Sequence, residues 1–253
     1  MGSTIEWTEL TWNPVTGCNK LSPGCKFCYA EVMSKRLNSM GLPKYSEGFK
    51  VKIHPSTLNI PFGWKKSKVV FVNSMSDLFH DDVPLEFIKA VFSVMNSTPQ
   101  HTYQVLTKRA ERLLEVSGEV KWTPNIWMGV SIENQDYAYR ANYLAKTPAS
   151  IKFLSIEPFI GKIDNLEINN LNWVIVGGES GHKARPMNLD WVLNIKTLCE
   201  SEAVPFFFKQ WGKSKFNNNP LDPTINKDHP QHAKGGCELN GEVFRAMPVS
   251  NTI

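Results

Sequence analysis

Three cysteines, Cys18, Cys25 and Cys28, fall within eleven residues near the start of the chain. The stretch around them is rich in Gly, Pro, Asn and Lys, the composition of a loop and not of a core segment. Three thiols on one loop can hold a metal ion or an iron–sulfur cluster. A structural zinc site closes with a fourth Cys or His. A [4Fe–4S] cluster held by three thiolates instead leaves one iron open to a further ligand. His54, His80 or Cys237 could supply a fourth ligand from a distance, so zinc stays open as a competing reading. A disulfide framework does not fit. Five cysteines is an odd number, and residues 1–7 carry no apolar signal segment.

Cys25-Lys26-Phe27-Cys28 has two thiols flanking an aromatic residue, with Tyr29 next. This half-motif resembles the cluster loop of the radical S-adenosylmethionine (SAM) superfamily. The first spacing departs from that pattern, because six residues separate Cys18 from Cys25 where three are usual. The longer string from Thr11-Trp12-Asn13-Pro14 through Gly17-Cys18 to Cys28-Tyr29-Ala30-Glu31 resembles a narrower three-cysteine family of phages and bacteria. That family is radical-SAM-like, of unknown function, and related in pattern to spore photoproduct lyase. The resemblance runs from Trp7 to about Trp211. It implies that Cys18, Cys25 and Cys28 hold a [4Fe–4S] cluster. It also implies that S-adenosyl-L-methionine binds the open iron and is cleaved to a 5′-deoxyadenosyl radical.

The elements that would position such a loop follow from periodicity. Apolar, β-rich runs at 69–73, 104–107, 126–130, 151–156, 173–176 and 205–209 read as buried strands, and a first strand ends near Val15. Helical patterns cover 31–38, 84–95, 108–116, 135–146 and 189–201. Such alternation implies a parallel sheet covered by helices. The expected fold is therefore α/β, a full or partial (β/α) barrel of the radical SAM type spanning 1–212. A doubly wound open sheet is the alternative, disfavoured by the lack of a G-x-G-x-x-G after the first strand. Residues 213–253 read as a C-terminal extension, an unpatterned loop followed by a hairpin around Asn240-Gly241.

Active-site residues of such barrels gather where strands end. Asp77, with Ser74 and Ser76, is placed to meet the ammonium group of SAM. Lys108 and Arg109 are placed to pair its carboxylate, and Ser131, Glu133 and Asn134 to serve the ribose. Glu157 is a further candidate, held extended by Pro158. Gly177 and Gly178 would let backbone approach adenine. Cys199 lies in a helical pattern and reads as a buried structural thiol. Cys237 sits in a glycine-rich loop, where an idle surface thiol is the first reading and a hydrogen-atom donor the low-ranked catalytic one. His101, His182, His229 and His232 show no metal-ligand spacing with the cysteines.

The net charge of +4 permits a nucleic-acid partner without demanding one. Tryptophans beside lysines, at Trp64-Lys65-Lys66, Lys121-Trp122 and Lys209-Gln210-Trp211-Gly212-Lys213, could stack bases near phosphates. No apolar run is long enough to span a bilayer, so the expectation is a cytoplasmic protein whose thiols stay reduced. A zinc-stabilised nucleic-acid-binding module without catalysis is the main alternative function. A zinc nucleobase deaminase fits poorly: glycine separates Pro23 from Cys25, and no H-x-E or C-x-E precedes them.

Overall fold

The computed structural model describes residues 7–218 and 233–249. The first strand, β1 (Leu10–Trp12), stops short of the expected Val15. The Asn73 side chain takes the Val15 N–H at 3.1 Å, and β2 (Val15–Thr16) turns out of the sheet. There β2 pairs antiparallel with β3 (Lys52–Ile53). Between these short strands lie the cysteine loop and α1 (Tyr29–Ser39). Ala30 of this helix packs with Tyr45 and Met75 in a small satellite core.

Strand and helix then alternate through β4 (Val69–Val72), α2 (Leu85–Ser97), β5 (Thr102–Thr107), α3 (Ala110–Val116) and β6 (Ile126–Ser131). They continue through α4 (Arg140–Ala145), β7 (Ile151–Ile156), β8 (Trp173–Gly177), α5 (Leu189–Ser201) and β9 (Phe206–Gln210). Seven strands form one parallel sheet in the order β1-β4-β5-β6-β7-β8-β9. The order never reverses, so the sheet curls one way into a half-barrel, and the doubly wound alternative does not hold. The expected helix at 135–146 is split. Gln135 Oε1 accepts the N–H groups of Asp164 and Asn165, which leaves a 3-10 turn at Gln135–Tyr137 before α4. No helix covers the β7–β8 connection; its buried Phe159, Ile163, Ile168 and Leu171 do so.

Both faces of the sheet are apolar, as parallel sheets require. Val70, Val72, Val105, Met128, Val130, Leu154, Val174 and Phe208 face the helices. Phe71, Trp127, Phe153, Trp173, Ile175 and Phe207 face inward with Trp7, a second cluster that fills the base of the half-barrel. The Trp7 ring meets Phe71, Phe153 and Trp173 edge-on at centroid distances of 4.8, 6.3 and 6.2 Å.

The C-terminal hairpin forms as expected. β10 (Glu238–Leu239) and β11 (Glu242–Val243) are joined by Asn240 and Gly241, with φ of 53° and 82°. Positive φ at both turn residues is what a tight hairpin needs. The segment then runs along β9, with the Phe208 N–H on the Phe244 carbonyl and the Ala246 N–H on the Phe206 carbonyl. It covers the open edge of the sheet.

Candidate active site at the strand ends

The cysteine loop leaves β2 through Gly17, whose φ is 81° and where a Cβ would sit 1.9 Å from the Lys50 carbonyl oxygen. Only glycine fits so close a left-handed turn. The Gly17 N–H bonds the Met75 carbonyl and the Cys18 N–H the Phe49 carbonyl. The loop is thereby bound at its start to the end of β4.

Three side chains from later strand ends grip the rest of it. The Ser22 hydroxyl donates to Glu133 Oε1 at 2.5 Å. Gly24 also packs on that carboxylate, where a Cβ would come within 2.5 Å. Arg109 donates to the Asn19 side chain and, at 2.8 Å, to Asp81. Arg185 donates to the Pro23 carbonyl at 3.0 Å and lies 5.4 Å from the Phe27 ring centroid. Tyr29, just after Cys28, donates its hydroxyl to the Ser74 carbonyl.

All three loop cysteines are free and half-buried. Burial pushes the Cys18 thiol up to about 12, with Asp77, Cys25 and Cys28 adding to the rise and Arg109 opposing it. Burial also raises Cys28, against hydrogen bonds from the Glu31 and Ala30 N–H groups at the start of α1. The three thiols therefore feel one another. They do not close into a metal-ligating set: no group of three or more His, Cys, Asp or Glu is so gathered among the described residues. The donor chemistry itself, three thiols on one anchored loop, fits a group bound by three thiolates.

None of the proposed distant fourth ligands joins them. His54 pairs with Thr16 at 2.7 Å. His80 is buried and accepts the Asp82 N–H. Cys237 is 3% exposed, so the surface-thiol reading is corrected. It is enclosed because Gly236 and Glu238 on either side accept hydrogen bonds from the Trp211 N–H and Nε1. Cys199 is buried in α5 as expected. His229 and His232 lie outside the described residues.

The structure gives many of the other sequence-derived candidates partners of their own. Asp77 accepts from the Phe79 N–H, the Thr107 hydroxyl and the Lys108 N–H at 3.0, 2.7 and 3.0 Å. Ser76 donates to the Val15 carbonyl, and Ser74 to the Asn13 side chain. Glu133 is fully buried between Lys108 Nζ at 2.7 Å and Arg140 Nη1 at 3.0 Å. Burial disfavours its charge, but the attraction of the two cations outweighs that and lowers its pKa. Arg140 also bonds the Ser131 carbonyl. Glu157, preceding a cis Pro158, pairs with Lys209 at 2.9 Å and receives the Ser155 hydroxyl at 3.3 Å. Missing Cβ atoms at Gly177 and Gly178 accommodate the Glu157 carboxylate and the Trp211 carbonyl.

Polar atoms remain to spare at these strand ends. Asn73 Nδ2, Arg109 Nε and Asn134 Oδ1 are buried without a hydrogen-bond partner. Unpaired buried groups are costly, and a polar ligand would relieve them. They suit a ligand rich in donors and acceptors, such as the amino-acid and ribose parts of SAM.

Ser22, Asn19, Asp81, Arg140 and Arg185 were not singled out by the sequence. Glu179 stands directly behind an apolar run, and that was the one signal for it. The tryptophans of the Trp–Lys neighbours turn out to be packing residues. Trp211 is buried, Trp122 meets Phe92 at 5.0 Å, and Trp64 meets His101 at 5.3 Å.

A family described as "Protein of unknown function (DUF5131)" matches residues 2–248. The chain belongs to this family. No curated protein sequence matches it. Among solved structures, a mutant spore photoproduct lyase with bound AdoMet and dinucleoside spore photoproduct is similar at 12% identity and a TM-score of 0.42. The match covers 67% of this chain and 56% of that one, so the chain spans little more than half the length of the relative. No helix among the described residues is long and apolar enough to cross a membrane.

Proposed function

We propose that the chain is a cytoplasmic radical SAM enzyme that acts on a nucleic acid or nucleotide. In this reading Cys18, Cys25 and Cys28 hold a [4Fe–4S] cluster, and SAM lies beside it against the strand ends. The observation that carries the reading is the cysteine loop itself. It supplies three thiols, none of His54, His80 and Cys237 joins them, and it is pinned over the C-terminal ends of a partial (β/α) barrel. When bound, the cluster would supply the electron that cleaves SAM to the 5′-deoxyadenosyl radical.

The chain's own residues would bind, orient and exclude water. The aromatic floor keeps the inner half-barrel dry. Asn73, Arg109 and Asn134 would use their unpaired atoms on the ligand. Asp77 retains one of its acceptor positions, since three of roughly four are taken. Ser74, Ser131 and Lys108 would contribute from the ends of their strands, while Glu133, with both oxygens engaged, would act by holding the loop.

The nucleic-acid part of the reading rests on the rim. Lys20 and Lys26 on the cysteine loop, Lys183 after β8, and Lys213 and Lys215 after β9 are cations on loops that follow strand ends. Phosphate contacts of this kind weaken steeply as salt rises. A base acted on inside the half-barrel must first leave its stack, so single strands should bind better than duplex.

Anaerobic reconstitution with iron and sulfide, then SAM and a strong reductant, tests the reading. Broad visible absorbance and release of 5′-deoxyadenosine are expected. Protein that takes up stoichiometric zinc and no iron would overturn it in favour of a zinc-stabilised binding module. Fluorescence anisotropy with labelled oligonucleotides at low and moderate salt tests the substrate class. Absence of binding at low salt would redirect the search to small molecules or proteins.

A further inference from the structure

We infer that Arg185 is a positioning residue that holds the Cys25–Cys28 half of the cysteine loop, independently of the Cys18 half. Arg185 reaches Pro23 from 162 residues away in sequence. Its guanidinium is fixed first by Glu179, with Nε on Oε2 at 2.8 Å and Nη2 on Oε1 at 2.5 Å. The backbone N–H of Arg185 bonds the same carboxylate at 2.9 Å. Such a two-bond fork fixes direction as well as distance.

Glu179 is in turn held rigidly. Gly178 and Gly212 on either side of the contact let its backbone pack directly on Trp211 and Gly212, where any Cβ would come within 2.2 Å of a carbonyl oxygen. The guanidinium then has a hydrogen left for the Pro23 carbonyl and a face for the Phe27 ring. Pro23 opens the 3-10 turn Pro23–Cys25, in which the Cys25 N–H bonds the Ser22 carbonyl and the Lys26 N–H bonds the Pro23 carbonyl. Phe27 lies between the second and third thiols.

The first thiol is held by other elements. Gly17 and Cys18 bond the carbonyls of Met75 and Phe49, and Asn19 is taken by Arg109. Ser22 and Gly24 also lean on Glu133, and Tyr29 on Ser74, so loosening Arg185 should weaken the second half without releasing it and leave the Cys18 half in place. The consequence for metal retention rests on the cluster reading; the behaviour of the loop does not.

Hydrogen exchange of the metal-free protein, resolved to single amides, tests this. In Arg185→Gln the Cys25 and Lys26 amides should exchange at least tenfold faster, while the Gly17 and Cys18 amides keep their rates. Glu179→Gln should give the same pattern, because it frees the guanidinium. Unchanged exchange at Cys25 and Lys26 would overturn the inference, as would an equal loss at Gly17 and Cys18. If Arg185→Gln does not fold, Phe27→Leu removes the ring that Arg185 and Lys26 face and leaves the Pro23 bond; the same pattern in weaker form is expected, and unchanged rates would count against the inference. On reconstituted protein, Arg185→Gln should lose iron to a chelator several-fold faster than the parent. A half-specific loosening in a protein that never takes up iron would sustain the positioning role and refute the cluster reading.

Discussion

Ser22, on the cysteine loop, donates its hydroxyl to Glu133, a carboxylate 111 residues later at the end of β6. The same carboxylate is gripped from below by Lys108 and Arg140. One fully buried acid thus neutralises part of a buried pair of cations and fixes the loop above them. Burying such a set costs much in desolvation and contributes little net stability. Its value lies in fixing where the loop sits.

Removing that acid leaves two cations with an uncompensated charge. Glu133→Ala should lower stability by about 3–5 kcal/mol, read from urea unfolding. A loss below about 1 kcal/mol would mean that water reaches Lys108 and Arg140. Because the Glu133 pKa is held below its ordinary 4.5, its contribution is present above pH 4.5 and is lost as the pH falls through the lower folded value. The acid limb of the stability profile should be shallower in Glu133→Gln than in the parent.

His54 should be neutral in the folded chain well below its usual range. Burial, then the charges of Lys44 and Lys52, push it down from 6.5 to about 4. The unfolded chain binds this proton first. The His54 contribution is therefore complete above about pH 6.5 and is lost progressively as the pH falls toward 4. NMR titration of the ring should give a midpoint near 4. A midpoint above 6 would show that the ring is solvated and not enclosed against Thr16.

Gly17→Ala combines a left-handed backbone with a collision against the Lys50 carbonyl. It should destabilise the chain by more than about 1 kcal/mol. The Cys18 amide should lose its exchange protection, since its bond to Phe49 follows directly on the turn. Full protection at Cys18 would show that the turn tolerates a side chain.

Replacing Cys18, Cys25 or Cys28 by Ala should reduce iron content after reconstitution to background, with the far-ultraviolet circular dichroism unchanged. Cys199→Ala and Cys237→Ala should retain iron, since both thiols are buried in packed segments. Loss of iron in Cys237→Ala would make that thiol a fourth ligand.

The sheet was legible in the sequence because its strands are buried on both faces and read as unbroken apolar runs, such as Val69–Val72 and Trp173–Gly177. The hairpin was legible from Asn240-Gly241 alone. The cysteines stood out because thiols on a polar loop have few other uses. What stayed hidden was the support beneath them. Arg140 and Arg185 look like solvated charges in their segments, and their partners Glu133 and Pro23 are fixed by folding and not by spacing. The Trp–Lys neighbours misled for the converse reason. Adjacent residues point in different directions, so a lysine beside a tryptophan says nothing about whether the ring is free.

The strap formed by residues 236–246 along β9 bears on how the chain is made. These residues leave the ribosome after every strand of the sheet. Until they arrive, Phe206, Phe207 and Phe208 stand on a bare edge able to pair with another nascent chain. Synthesis therefore leaves this phenylalanine-rich strand bare after the rest of the sheet is complete. Yield from expression should depend on the C-terminal fifth of the chain, although the cysteine loop lies at the opposite end of the sequence.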